Sequence, residues 1–140
     1  MSDWVLLAHA GATWFMAGLI WFVQVVHYPL MGAVGRDGFA AYEARHQART
    51  TIVVAPAMLI ELITGALVTI ERPGDPVVIA AGALLVGNWF STAAMQVPCH
   101  RRLESGFDAL AHRRLVATNW ARTAMWSARA VLVAWLVAGS

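Results

Sequence analysis

Three histidines in this chain stand beside carboxylate or amide side chains at spacings that suit metal binding or proton transfer. Gln24 and His27 are three residues apart, so on a helix they share a face. Gln96 and His100 are four apart, with Pro98 between them. Glu43-Ala44-Arg45-His46 sets a carboxylate and an imidazole one turn apart. Di-iron bundles use that E-x-x-H spacing, but they need two such motifs plus further carboxylates. With one motif present, a single ion fits better: iron, copper or zinc held by His27, His46 and His100, with Glu43 completing the shell. Two of the histidines could instead be the axial ligands of a haem b. The plainer reading is that these groups sit at a membrane interface and hydrogen-bond one another and water.

Something must bring three distant stretches of chain together. Hydrophobic residues make up 59% of the sequence and charged residues 13%, against about 25% charged in soluble domains. Its 140 residues suit one integral membrane domain. Four spans are expected near 4–27, 51–70, 76–97 and 119–137, each close to the ~20 residues a bilayer requires. The first is too long for a removable signal peptide. Pro56 is expected to kink the second span and Pro98 to stop the third. Glu71-Arg72-Pro73-Gly74-Asp75 is turn chemistry, so the second and third spans are antiparallel neighbours. The fold class is therefore all-α: an up-down bundle of four transmembrane helices.

The other two connections read as helical. Asp37 is placed to cap a helix from Gly38, and Ser105 with Asp108 resembles a capping box. The second and fourth helices would then extend beyond the bilayer on one side. Arg36, Arg45, Arg49, Arg101, Arg102, Arg113 and Arg114 lie in these two connections, with Arg72 alone opposite. The positive-inside rule puts the connections in the cytoplasm and both termini outside it, in a bacterial inner membrane. Topology explains the arginines, and Asp37, Glu43, Glu104 and Asp108 dilute them, so no nucleic-acid partner is expected. Cys99, the single cysteine, excludes an internal disulfide and reads as a buried hydrophobe or a soft ligand.

An up-and-down path carries His27, His46 and His100 to the cytoplasmic face. Glu61 and Arg129 fall near mid-membrane, where an ion pair is the bland expectation and proton relay or metal ligation by Glu61 the sharper one. Asn119, Arg122, Trp126 and Arg129 line one helix face, and Asn88, Thr92 and Gln96 a matching one. They suggest a polar-lined cavity, with Trp14, Trp21, Trp89 and Trp126 available to wall it. Candidate catalytic side chains are Glu61, Tyr42 and Arg122; candidates for contacting a cofactor are Gln24, Gln96, Asn119 and Trp126. His9 lies about 27 Å from His27 along one helix and is assigned to the opposite surface. His112 is expected to be solvated.

The Gln/His pairs, the Gly38-Phe39 and Gly106-Phe107 openings, and Ala48-Arg49-Thr50 against Ala121-Arg122-Thr123 suggest an internal two-fold hairpin repeat. Gly82 to Gly87 could allow close contact in a homodimer.

Gln24-Val25-Val26-His27-Tyr28-Pro29 and Asn119-Trp120-Ala121-Arg122-Thr123-Ala124-Met125-Trp126 resemble segments of small bacterial four-helix membrane proteins. Those are distantly similar to the anthrone oxygenase-like membrane family. The resemblance implies oxidation of a lipophilic, often aromatic, substrate, and some such oxygenases are described as acting without a metal. Two function classes follow. One is a membrane-embedded oxidoreductase dependent on a metal or haem, acting on a lipophilic small molecule. The other is a non-enzymatic transporter, metal chaperone or assembly factor.

Overall fold

The computed structural model describes residues 3–139, and every regular element among them is helical. Four long helices follow in order: α1 (Asp3–Met31), α2 (Phe39–Glu71), α3 (Pro76–Leu103) and α4 (Ala109–Ala138). The first three are long and apolar enough to cross a membrane. α4 carries Arg113, Arg114, Arg122 and Arg129, which lower its hydropathy.

Polarity is distributed inside out. Ile52, Ile63, Phe90 and Trp135 are exposed, whereas Thr13, Glu61, Asn88, Asn119 and Arg129 are buried. Lipid imposes no penalty on an apolar exterior, so polar groups between helices supply part of the association energy. α1 packs against α2 and α4, and α3 against α4; of the neighbouring pairs, α2 and α3 touch least. The apolar interior forms three layers. Met31, Phe39, Leu103 and Leu115 fill the arginine-rich end. Met16, Ile20, Met58 and Trp126 fill the middle, and Leu6, Val68, Val78 and Leu136 the far end.

The tight turn between α2 and α3 has the expected chemistry. Gly74 adopts φ +85°, and the Asp75 carboxylate accepts from the Val77 and Val78 N–H groups.

Helix ends differ from the sequence reading in four places. α1 runs to Met31 rather than ending at position 27, and α3 runs through Pro98 to Leu103. Pro98 does not stop α3 because a π-helical turn, Thr92–Gln96, precedes it; a second, Val23–His27, precedes Pro29. Tyr28 N–H donates to the Val23 carbonyl and Val97 N–H to the Thr92 carbonyl, each five residues back. Proline supplies no N–H to the carbonyl four residues before it. Here those carbonyls, of Val25 and Ala94, lie inside the widened turns. Asp37 does not cap α2, whose N-cap position is Gly38 with no side-chain bond. Ser105 turns back to the Arg102 carbonyl, so no capping box forms; Asp108 alone caps α4, accepting from Leu110 and Ala111 N–H. α2 continues unbroken through Pro56.

Gly87 serves contact within the chain, since a Cβ there would stand 2.9 Å from Met125 Sδ on α4. Around Gly82 a Cβ would meet nothing within 4 Å.

Candidate functional site

The arginine-rich end of the bundle gathers the end of α1, the start of α2, the end of α3 and the first turns of α4. His27 Nε2 lies 2.9 Å from His46 Nδ1, with the rings stacked 4.4 Å apart. Thr50 Oγ1 lies 3.1 Å from the same His46 nitrogen. With one lone pair, an unprotonated His46 Nδ1 accepts from either the His27 N–H or the Thr50 hydroxyl. Tyr42 stacks on both rings, near-parallel to His46 at 8°. The His100 ring stands 5.4 Å from that of His46.

His100 is held from both sides. Its Nδ1 lies 2.6 Å from Glu43 Oε1, and its Nε2 lies 3.1 Å from the Tyr28 hydroxyl. Glu43 is fully buried and also accepts from Gln47 Nε2. A carboxylate on Nδ1 fixes that nitrogen as the donor and leaves the Nε2 lone pair facing the phenol. Glu43, His100 and Tyr28 thus form a file able to pass a proton, built from three different helices.

Deeper in, Asn119 Nδ2 donates to Gln24 Oε1 at 2.8 Å, and Arg122 Nη1 donates to Asn119 Oδ1 at 3.0 Å. Gln24 and Gln96 donate to the Val116 carbonyl and the Thr118 hydroxyl of α4. The π turns hold both glutamines in the interior, where each is buried.

Some of these groups border a cavity of about 350 Å³ between the four helices. Met16, Ile20, Val54 and Met58 supply its apolar wall; Tyr28, His46, Gln96, His100 and Arg122 supply the polar one. Such a mixture, mostly apolar with a few polar groups, is usual for small-molecule sites. Where α2 and α3 touch least, the half-exposed Leu59 and Val97 form its rim. His27 and Tyr42 border a separate outer groove with Arg45 and Arg49.

The sequence-derived candidates therefore divide. His27, His46, His100, Glu43 and Tyr42 cluster, and Gln24, Gln96, Asn119 and Arg122 lie next to them. Glu61 and Trp126 do not join them. Glu61 pairs with Arg129 Nη2 at 3.0 Å and accepts from Thr13 and the Trp126 indole. Arg129 also donates to the Ala81 carbonyl. Trp126 is fully buried beneath the Arg122 guanidinium, 5.1 Å from its ring centroid. Trp14 and Trp21 stand at the α1–α4 seam, donating to the Ala130 carbonyl and to Ser127; Trp89 alone of the indoles borders the cavity.

Two histidines sit elsewhere than expected. His9 is buried, bonded to Thr64 at 3.0 Å and facing Arg129 Nη2 at 3.4 Å. It belongs to the Glu61–Arg129 core and not to the opposite surface, because that core lies only one turn deeper on α1, at Thr13. His112 is not free in solvent: its Nε2 donates to the Tyr28 carbonyl at 2.7 Å, an acceptor left without a donor where α1 ends. The sequence reading placed Tyr28 at this end but gave it no role. Its signal was the adjacent His27-Tyr28-Pro29 run on an inward face. Cys99 is a free thiol buried among Met31, Phe39 and Leu103.

Among the described residues no group of three or more His, Cys, Asp or Glu side chains is arranged to hold a metal ion. The ring nitrogens face one another instead of a shared point. Comparison with protein families, curated proteins and solved structures found no match.

Proposed function

We propose that this chain is a membrane-embedded oxidoreductase that takes a lipophilic substrate into the cavity among its four helices. The observation that carries this reading is the file Glu43–His100–Tyr28, which opens onto an apolar cavity. A proton handler at the edge of an apolar pocket suits a substrate with an acidic C–H or O–H bond. Tyr28 and His100 take that proton while Glu43 keeps the imidazole oriented and stabilises its charged form. The electrons pass to dioxygen: converting a CH2 group to a carbonyl consumes one O2 and releases one water. The substrate reaches the cavity sideways, between α2 and α3. α4 crosses the bilayer as a fourth span, since Arg122 and Arg129 point into the bundle and not toward lipid. By the positive-inside rule the arginine-rich end faces the cytoplasm of a bacterial inner membrane.

A second reading rests on the facing nitrogens of His27 and His46. Their 2.9 Å separation is close to the ~3.3 Å between ligands of a tetrahedral ion with bonds of about 2.0–2.1 Å. An iron, copper or zinc ion could replace their mutual hydrogen bond, with His100 or Glu43 moving to join.

Oxygen uptake in nanodiscs, with a panel of lipophilic phenols and cyclic ketones, tests the main reading. Uptake should fall 10²- to 10⁴-fold in Tyr28→Phe and His100→Ala, the usual range for a lost acid–base group. Uptake absent from wild type across the panel, or unaffected in both variants, would turn the reading toward a binding or transport protein. Elemental analysis of wild type and His46→Ala decides the second reading: equal metal content in both overturns it.

A further inference from the structure

Three buried polar atoms have no hydrogen-bond partner among the described residues yet belong to side chains that line this one cavity: Arg122 Nε, Trp89 Nε1 and Gln96 Oε1. Buried polar groups are almost always satisfied, so a cluster of exceptions calls for an explanation. Arg122 is the sharpest case. It is 6% exposed, and no ion pair of the described residues includes it. Its bonds go to neutral groups, the Asn119 amide and the Tyr28 hydroxyl. The other interior arginine, Arg129, is matched by Glu61. A buried cation without an anion is costly; the Glu43 carboxylate bonds His100 through Oε1, its Oε2 having no partner among the described residues.

We propose that the missing anion is the ligand: a lipophilic carboxylate, its headgroup on Arg122 Nε and the Trp89 indole N–H, its chain along Met16, Ile20 and Met58. Two unpartnered N–H donors on residues lining the same cavity match a carboxylate better than an ester or alcohol. From Val23 to Met16 the apolar wall runs about 10 Å, enough for the first eight or so carbons. A longer chain leaves between Leu59 and Val97 into lipid. This deepens the preceding proposal, since it rests on the cavity being a lipophilic site and adds the class of molecule.

Energy transfer from tryptophan to cis-parinaric acid, compared with its methyl ester, tests the inference in phosphatidylcholine nanodiscs corrected for empty discs. The acid should bind wild type at least tenfold more tightly than the ester. Arg122→Gln should bring the acid down to the ester's affinity, and Asp108→Asn, far from the cavity, should change neither. Equal affinities in wild type overturn the carboxylate while leaving a lipophilic site; this comparison needs no variant to fold. An acid preference that survives Arg122→Gln overturns the anchor. If neither probe binds, both the inference and the lipophilic reading of the cavity fall.

Discussion

Glu43 Oε1 and His100 Nδ1 stand 2.6 Å apart across the interface of α2 and α3, and the carboxylate is fully buried. Glu43→Gln keeps the shape but turns a charged acceptor into a neutral amide. Turnover in the oxygen-uptake assay should fall by tens- to hundredsfold, with a smaller loss than Tyr28→Phe, since orientation survives in part. A variant as active as wild type would remove Glu43 from the mechanism.

The Glu61–Arg129 pair makes a stability prediction independent of function. Arg129→Ala leaves a buried carboxylate unpaired and should cost about 3–5 kcal/mol. Glu61→Leu combined with Arg129→Met should recover most of that loss. Thermal unfolding in detergent reads both, and a single variant that melts with wild type would show the pair to be idle.

Two glycines face α-helical neighbours with opposite consequences. At Gly65 a Cβ would come within 3.1 Å of both His9 Cε1 and Leu85 Cδ2. The His9 ring is held by Thr64 and Arg129, so Gly65→Ala should cost about 1–3 kcal/mol. At Gly87 the crowding atom is the flexible Met125 thioether, so Gly87→Ala should be nearly neutral. Equal melting shifts in the two variants would show that side-chain mobility does not decide the outcome.

The Asp108 cap carries a pH dependence. The Ala111 N–H, then Arg102, holds its carboxyl below the ordinary carboxylate range. A lowered folded pKa means the cap contributes fully above the unfolded value, about 3.9, and fades as pH drops through the folded one. Amide exchange at Leu110 and Ala111 should therefore stay slow at neutral pH and quicken below about pH 4. In Asp108→Asn the same amides should show no such acid transition. Acid-quickened exchange in that variant would assign the effect to another group.

Much of the architecture was legible in residue types. Hydropathy marked four spans, three of which are helices long and apolar enough to cross a membrane; Pro-Gly-Asp marked the turn, and alternation of direction brought His27, His46 and His100 together. The helix ends were less legible because a proline in sequence looks the same whether it breaks a helix or follows a widened turn. His9 was misplaced for a related reason: distance along one helix says nothing about what the next helix presents at that depth. Tyr28 acquires meaning only through partners on other helices, His100 being 72 residues away in sequence and Arg122 lying on α4. Pro29 and Pro98 each stand two residues past a π turn, whereas the Gln/His pairs fall at different offsets from those prolines.

The widened turn at Val23–His27 gives α1 one surplus residue, and with it a phase error relative to an ordinary helix. Excising Val25 would let the turn relax into regular winding. The widened turn already absorbs that residue, so everything downstream would keep its phase and Tyr28 its place against His100; excising a residue from a regular turn of α1 would instead swing the downstream part by about 100° and draw it back about 1.5 Å. That single turn is therefore the place in α1 where the chain can lose a residue without changing the face on which the phenol stands.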